Sequence, residues 1–186
     1  GSLCSSLNQL LDSLRDFMGH SEKILNGNTE VKASDMDGEF RHSTERMLEQ
    51  AKEKKKTDLE MARVFSMVEN ATINMMFADA KNLEVQYQNP ASLTTLKTLE
   101  KHLSLNADQV IGRSIDIFHK NPQVIRKIVS DPRNLPHKAI IQLGPETVEL
   151  IAMATYDKHQ NYLGPMVCWL IITEREKVAR QLADSG

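Results

Sequence analysis

The last third of the chain carries three apolar runs of strand length: "HKAIIQLG" from His137, "ETVELIAMATYD" from Glu146 and "YLGPMVCWLIIT" from Tyr162. Only Gly144-Pro145 and the Lys158–Asn161 stretch separate them, and both have turn chemistry. Consecutive strands joined by tight turns must pair antiparallel, because a parallel crossover consumes a dozen or more residues. This excludes an all-helical bundle and a doubly wound parallel sheet for this region. An antiparallel sheet buries at least one face, so something must cover it.

The preceding residues supply the cover. "INMMFADA" and "LEVQYQ" are two shorter β-prone runs with Lys81-Asn82 between them as a turn. "NPASLTTLKTLEKHL" then reads as a helix, with Asn89 as cap, Pro90 in the first turn, and Leu93, Leu96, Leu99 and Leu103 as a stripe. An irregular stretch runs from Asn106 to His119, and "NPQVIRKIVSD" predicts a short helix from Asn121. Two strands, a helical insertion and three strands make an α+β plan: a five-stranded antiparallel sheet with helices on one face.

Residues 1–69 follow a different period. Leu7, Leu11, Leu14, Met18 and Leu25 recur at spacings of four and three, with Ser21 in the one gap. That is a heptad seam on an amphipathic helix. "NGNTEVKASDMDGE" interrupts it, and the seam resumes at Phe40, Thr44, Met47 and Ala51, then Met61, Phe65 and Val68. Lys54 and Asp58 occupy seam positions between the two halves, which predicts a weakened helix or a register shift there. One-sided apolar seams need a partner, so a homodimer through the N-terminal helices is expected. "KEKKK", from Lys52 to Lys56, reads as a solvated helix face diluted by neighbouring Glu residues.

Composition narrows the function. The net charge is −2, which gives no basic footprint for nucleic acid. HExxH, GxSxG, Walker A and paired-cysteine zinc spacings are all absent from the sequence, so no common catalytic constellation is present and an enzyme is not expected. His42 is followed by Ser43 rather than an acidic residue, which argues against a phospho-accepting histidine. Cys4 and Cys168 are far apart and read as two reduced thiols of a cytoplasmic protein. No apolar run approaches the roughly 18 residues of a membrane span. The leading Gly-Ser has the form of an appended remnant, so a longer parent with a downstream signalling domain is expected.

Three stretches now resemble one family. "VENATINMMFADAKNLEVQYQNPASL" is similar to the opening of a PAS domain, "ADQVIGRSIDIFHKNP" to its middle segment, and "YLGPMVCWLIITERE" to its last strand. The likeness runs from Val68 to Glu174 and is strongest to the PAS domains of bacterial methyl-accepting chemotaxis proteins. Among these it looks like the soluble aerotaxis-type receptors, which hold haem in PAS and place HAMP units before it. "DMDGEF" likewise resembles the entry of a HAMP domain, with Val31 and Met36 as apolar residues of its connector; a plain coiled coil is the alternative. The resulting plan is a HAMP-like or coiled-coil segment at 1–69, a PAS sensor domain at 70–174 and the start of an output helix at 175–186.

The resemblance implies a role for two residues. His119, in "FHKNP", takes the place of the axial iron ligand, and Trp169 takes the place of the residue that donates its indole N–H to a bound gas. This implies haem b as cofactor and oxygen, with CO or NO, as ligand. Two positions depart from the pattern. Val124 stands where a second histidine often occurs, and Ile171 stands where the Asp of a terminal Asp-x-Thr signature would be.

The residues themselves leave the choice open. A lone histidine is more often structural than a ligand. Haem needs an imidazole or other axial donor and a dry apolar pocket. Ile115, Phe118 and Ile128 near His119, and Leu150 and Ala152 on the facing strands, are the expected walls. Trp169 shares strand parity with Val167 and Ile171, so its N–H is expected to be a lone donor in an apolar hollow. His137, at a strand start, is the rival ligand. A haem-free relay, or flavin in the same hollow, is the alternative function.

Overall fold

A computed structural model describes residues 2–35, 40–103 and 105–184. Its contacts divide the chain into two compact units, 1–65 and 66–186.

In the first unit, helix α1 (Ser2–Leu25) is followed by a 3-10 turn at Ala33–Asp35 and by helix α2 (Phe40–Glu69). Phe17 stacks on Phe40 with ring centroids 5.0 Å apart, and Ser21 Oγ donates to Met47 Sδ at 3.7 Å. Ile24, Val31, Ala33 and Thr44 are buried between the two helices and their connector. The helix α2 runs unbroken past Lys54 and Asp58, so the polar gap does not interrupt it. Leu11, Leu14, Met18 and Leu25 on α1 remain exposed, as does Met61 on α2. Met36 and most of "DMDGEF" lie outside the described residues.

The second unit is the expected α+β domain. Strands β1 (Asn74–Ala78) and β2 (Val85–Gln88) form the first hairpin. Helices α3 (Pro90–Leu99) and α4 (Pro122–Val129) follow, then strands β3 (His137–Leu143), β4 (Glu146–Tyr156) and β5 (Tyr162–Ile171), and finally helix α5 (Thr173–Asp184). The sheet order is β2-β1-β5-β4-β3, antiparallel throughout, so the last strand lies in the middle. The core gathers Val85, Leu96, Leu99, Val110, Leu143, Val148 and Trp169, which joins the inner sheet face to α3 and the irregular segment.

Asn89 ties the elements together and is fully buried. Its Oδ1 accepts from Ser92 N at 3.0 Å, which caps α3, and from Met75 N at 2.9 Å on β1. Its Nδ2 donates to Ile73 O at 2.9 Å and to Val68 O at 3.3 Å in the last turn of α2. A buried amide is tolerated only when its donors and acceptors are matched, as here. Gly164 on β5 has φ +132°, and an added Cβ would sit 1.9 Å from the Ala78 carbonyl oxygen. Only glycine lets β5 approach the end of β1 so closely.

Candidate functional site

The site begins with a register. Across β3, β4 and β5, His137 is opposite Ala152, which is opposite Val167; the next row is Ala139, Leu150 and Trp169; the next is Ile141, Val148 and Ile171. Alternate residues of a strand share a face, so these rows form one inward wall. The expected parity of Val167, Trp169 and Ile171 is therefore what the sheet displays.

The opposite wall is built by the irregular segment. Gly112 N donates to Val85 O, Val85 N to Arg113 O at 2.8 Å, and Ile115 N to Leu83 O at 2.9 Å. The stretch thus docks on the free edge of β2. A 3-10 turn, Ile115–Phe118, follows, with the Ser114 hydroxyl accepting from Asp116 N at 3.2 Å. It ends on His119, which has extended dihedrals, and Asn121 before Pro122 is held away from helical geometry, as a residue preceding proline must be. Arg126 on α4 then grips the turn: its Nε and Nη2 donate to Asp116 Oδ1 and Oδ2 at 2.9 and 2.8 Å, and Nη2 also donates to Ser114 Oγ at 2.9 Å.

Between these walls lies an apolar slot, open to solvent at its mouth, with a cavity volume of about 90 Å³. Ile115, Phe118, His119, Leu150, Ala152 and Trp169 all line it. Ile128 does not. The wall of α4 is made instead by Ile125 and Val129, four residues apart on one helical face, and Ile128 falls off that face. Val124 is 57% exposed on the same helix, so the position where relatives of this pattern carry a second histidine faces solvent here. Tyr162 ties the start of β5 to α4 by donating its hydroxyl to Val129 O at 2.6 Å, and burial together with the neighbouring Tyr156 pushes its pKa up to about 12.

The polar groups of the wall are few: the imidazoles of His119 and His137 and the indole N–H of Trp169, among apolar side chains. Burial lowers the pKa of His119, against the pull of the Asp116 carboxylate, so its ring is neutral at pH 7 and offers a lone pair. Among the described residues no three His, Cys, Asp or Glu side chains gather to hold a bare metal ion. Iron at this place would depend on a macrocycle for its remaining ligands. An apolar slot with the neutral imidazole of His119 in its wall would offer haem the axial donor it needs.

The indole departs from expectation. Trp169 is 5% exposed and its Nε1 donates to Ser92 Oγ at 3.2 Å, so the N–H is already paired within the protein. Ser92, Asp116 and Arg126 were not readable as site residues. Ser92 is 77 positions from Trp169 and Arg126 ten from Asp116, and neither spacing is a motif.

No established family profile matches the chain. It is 28% identical over 127 residues to the methyl-accepting chemotaxis protein McpB of Pseudomonas aeruginosa, a match that covers 66% of this chain and 18% of that protein's length. Among solved structures it matches the Aer2 receptor of Vibrio cholerae, described as a dual PAS-haem oxygen sensor, with 37% identity and a TM-score of 0.51 over 54% of this chain and 95% of that one. An RNA-binding light-oxygen-voltage receptor shares the fold at 17% identity and a TM-score of 0.51, over 69% of this chain and 37% of that one. The sheet, its helical cover and these relatives define a sensory signal-transduction domain. The chain belongs to the PAS family, in the form carried by chemoreceptor-like proteins.

Proposed function

We propose that this PAS domain holds haem b in the slot and senses a diatomic gas, oxygen before CO or NO. The observation that carries the reading is the neutral imidazole of His119, set in an otherwise apolar wall across from the sheet that bears Trp169. Likeness to a PAS-haem oxygen sensor at 37% identity supports it. When bound, haem supplies an iron that takes up the gas. His119 holds the group from the helical side, with His137 as the competing donor at the other wall. The apolar side chains would exclude water, and Trp169, once released from Ser92, would offer the one indole N–H of the chain to a bound gas.

Trp169 sits on β5, and β5 leads directly into α5. The junction is braced on β4: Ile172 N donates to Thr147 O at 2.8 Å, Thr147 N donates to Thr173 Oγ1 at 2.9 Å, and the Thr173 hydroxyl donates to Glu146. A shift of Trp169 would therefore load the first turn of α5 through β5 and this brace. Such a relay needs two packings of similar free energy with unequal gas affinity. The parent is a chemoreceptor-like protein with a downstream signalling domain, dimerised through the exposed seams of α1 and α2. No described helix is long and apolar enough to cross a membrane.

A haem-free relay is the second reading, and the Trp169–Ser92 bond favours it, because it satisfies the buried donor without any ligand. A visible spectrum separates the two. Protein reconstituted with haemin shows a Soret band that His119→Ala loses under the haem reading. Colourless protein that takes up no haemin refutes it.

A further inference from the structure

The indole N–H that the proposed function assigns to the gas is held by Ser92. Ser92 is fully buried in the first turn of α3, and its own N–H donates to the Asn89 cap at 3.0 Å. Asn89 is fixed in turn by β1 and by the end of α2. The hydroxyl is thus mounted on a rigid element and cannot follow the indole if the ring moves. An N–H makes one strong bond at a time, so Trp169 must leave Ser92 before it can donate elsewhere.

We infer that Ser92 is a latch: a positioning residue that holds Trp169 in the ligand-free arrangement and competes with the bound gas for its N–H. This rests on the haem-sensing reading above. The consequence is a lowered apparent affinity, because only the unlatched fraction is competent to donate. A net hydrogen bond of ordinary strength makes that penalty about fivefold. Oxygen, which carries partial negative charge when bound to iron, gains most from the released donor, and CO gains less.

The tests use the whole chain. Without cofactor, the sole tryptophan gives one indole cross-peak in a ¹H–¹⁵N spectrum. In the wild type that proton should exchange slowly; in Ser92→Ala the peak should move upfield and exchange at least ~10-fold faster. In haemin-loaded, reduced protein, Ser92→Ala should bind oxygen about fivefold more tightly, with a smaller change for CO. In a Trp169→Phe background Ser92→Ala should leave oxygen affinity unchanged, which a merely structural serine would not do. Ser92→Cys fills the site with a slightly larger side chain that is only a weak acceptor and serves if the alanine variant does not fold.

An unmoved indole peak overturns the latch. So does an unchanged oxygen affinity in Ser92→Ala, or the same change with and without Trp169. If the wild type takes up no haemin, the sensing reading falls and the latch's competition with gas falls with it. Failure of the latch alone looks different: the wild type binds haem and oxygen, and Ser92→Ala is indistinguishable from it.

Discussion

Arg126 of α4 holds Asp116 through two parallel hydrogen bonds, three residues before the imidazole that enters the hollow. The pair fixes the 3-10 turn on which His119 ends. The Arg126 hydrogen bond holds the Asp116 carboxyl below the usual carboxylate range, against a smaller opposing effect of burial. Both side chains are about one-third exposed, so water screens the pair.

Removing the fork should therefore cost modest stability and more function. Arg126→Ala is expected to lower the urea midpoint only slightly. Haemin affinity should fall about tenfold, the low end for loss of a support around a metal-binding histidine. Arg126→Lys keeps the charge without the fork and should lie between the two. Unchanged haemin affinity in Arg126→Ala would contradict this placement.

The two histidines of the hollow make separable predictions. His119→Ala should abolish the Soret band of reconstituted protein, while His137→Ala should retain it. Both variants should stay within about 1 kcal/mol of the wild type in unfolding, since each ring is only half-buried. Reversed spectra would move the ligand to β3.

Asn89→Ala removes four hydrogen bonds at a fully buried site and leaves two N–H and two carbonyl groups without that partner. At least ~3 kcal/mol of unfolding free energy should be lost. Asn89→Asp keeps the two accepted bonds but sets a carboxyl oxygen against the Ile73 and Val68 carbonyls at a fully buried site, so at least as large a loss is expected at pH 7 by the same urea titration.

The Asp79 turn sets the acid limit of the β1–β2 hairpin. Burial raises the pKa of Asp79, but the backbone N–H groups of Asn82, Glu84 and Lys81 and the Gln86 amide outweigh it, and the net shift is downward. A carboxyl whose pKa is depressed on folding stabilises above its unfolded value, about 3.9, and that stability fades as pH falls through the folded value. Asp79→Asn should cost about 1 kcal/mol at pH 7 and almost nothing near pH 2, as read from urea midpoints at the two pH values.

Two glycines with positive φ should both resist alanine, Gly164 the more strongly. Gly164→Ala forces a Cβ against the Ala78 carbonyl and the Asp79 backbone at a φ that side chains avoid, so a loss above about 3 kcal/mol or failure to fold is expected. Gly144→Ala, at φ +60°, brings a Cβ within 2.5 Å of His102 Cβ as well as against its ring, so the backbone there must shift and a loss of about 2 kcal/mol or more is expected. Thermal melts of the two variants give the comparison.

Much of the domain was legible because its signals are local. Strand parity placed Val167 and Trp169 on one face, and Asn89-Pro90 marked the start of α3. A phrase of adjacent residues pointed to Phe118 and His119, and both line the hollow. Ile128 was misplaced because proximity in sequence to His119 says nothing of the phase of a separate helix. On α4 the inward face belongs to Ile125 and Val129.

The linear order of residues by itself determined the antiparallel sheet, its helical insertion and the inward face of the last strand, since period-two patterning and short turns act between neighbours. Only the tertiary structure decided that two imidazoles share one slot and that Arg126 braces Asp116. It also decided that the indole N–H is paired with Ser92. Hydrogen bonds across such separations depend on where α3, α4 and the sheet come to rest, and no local preference encodes that.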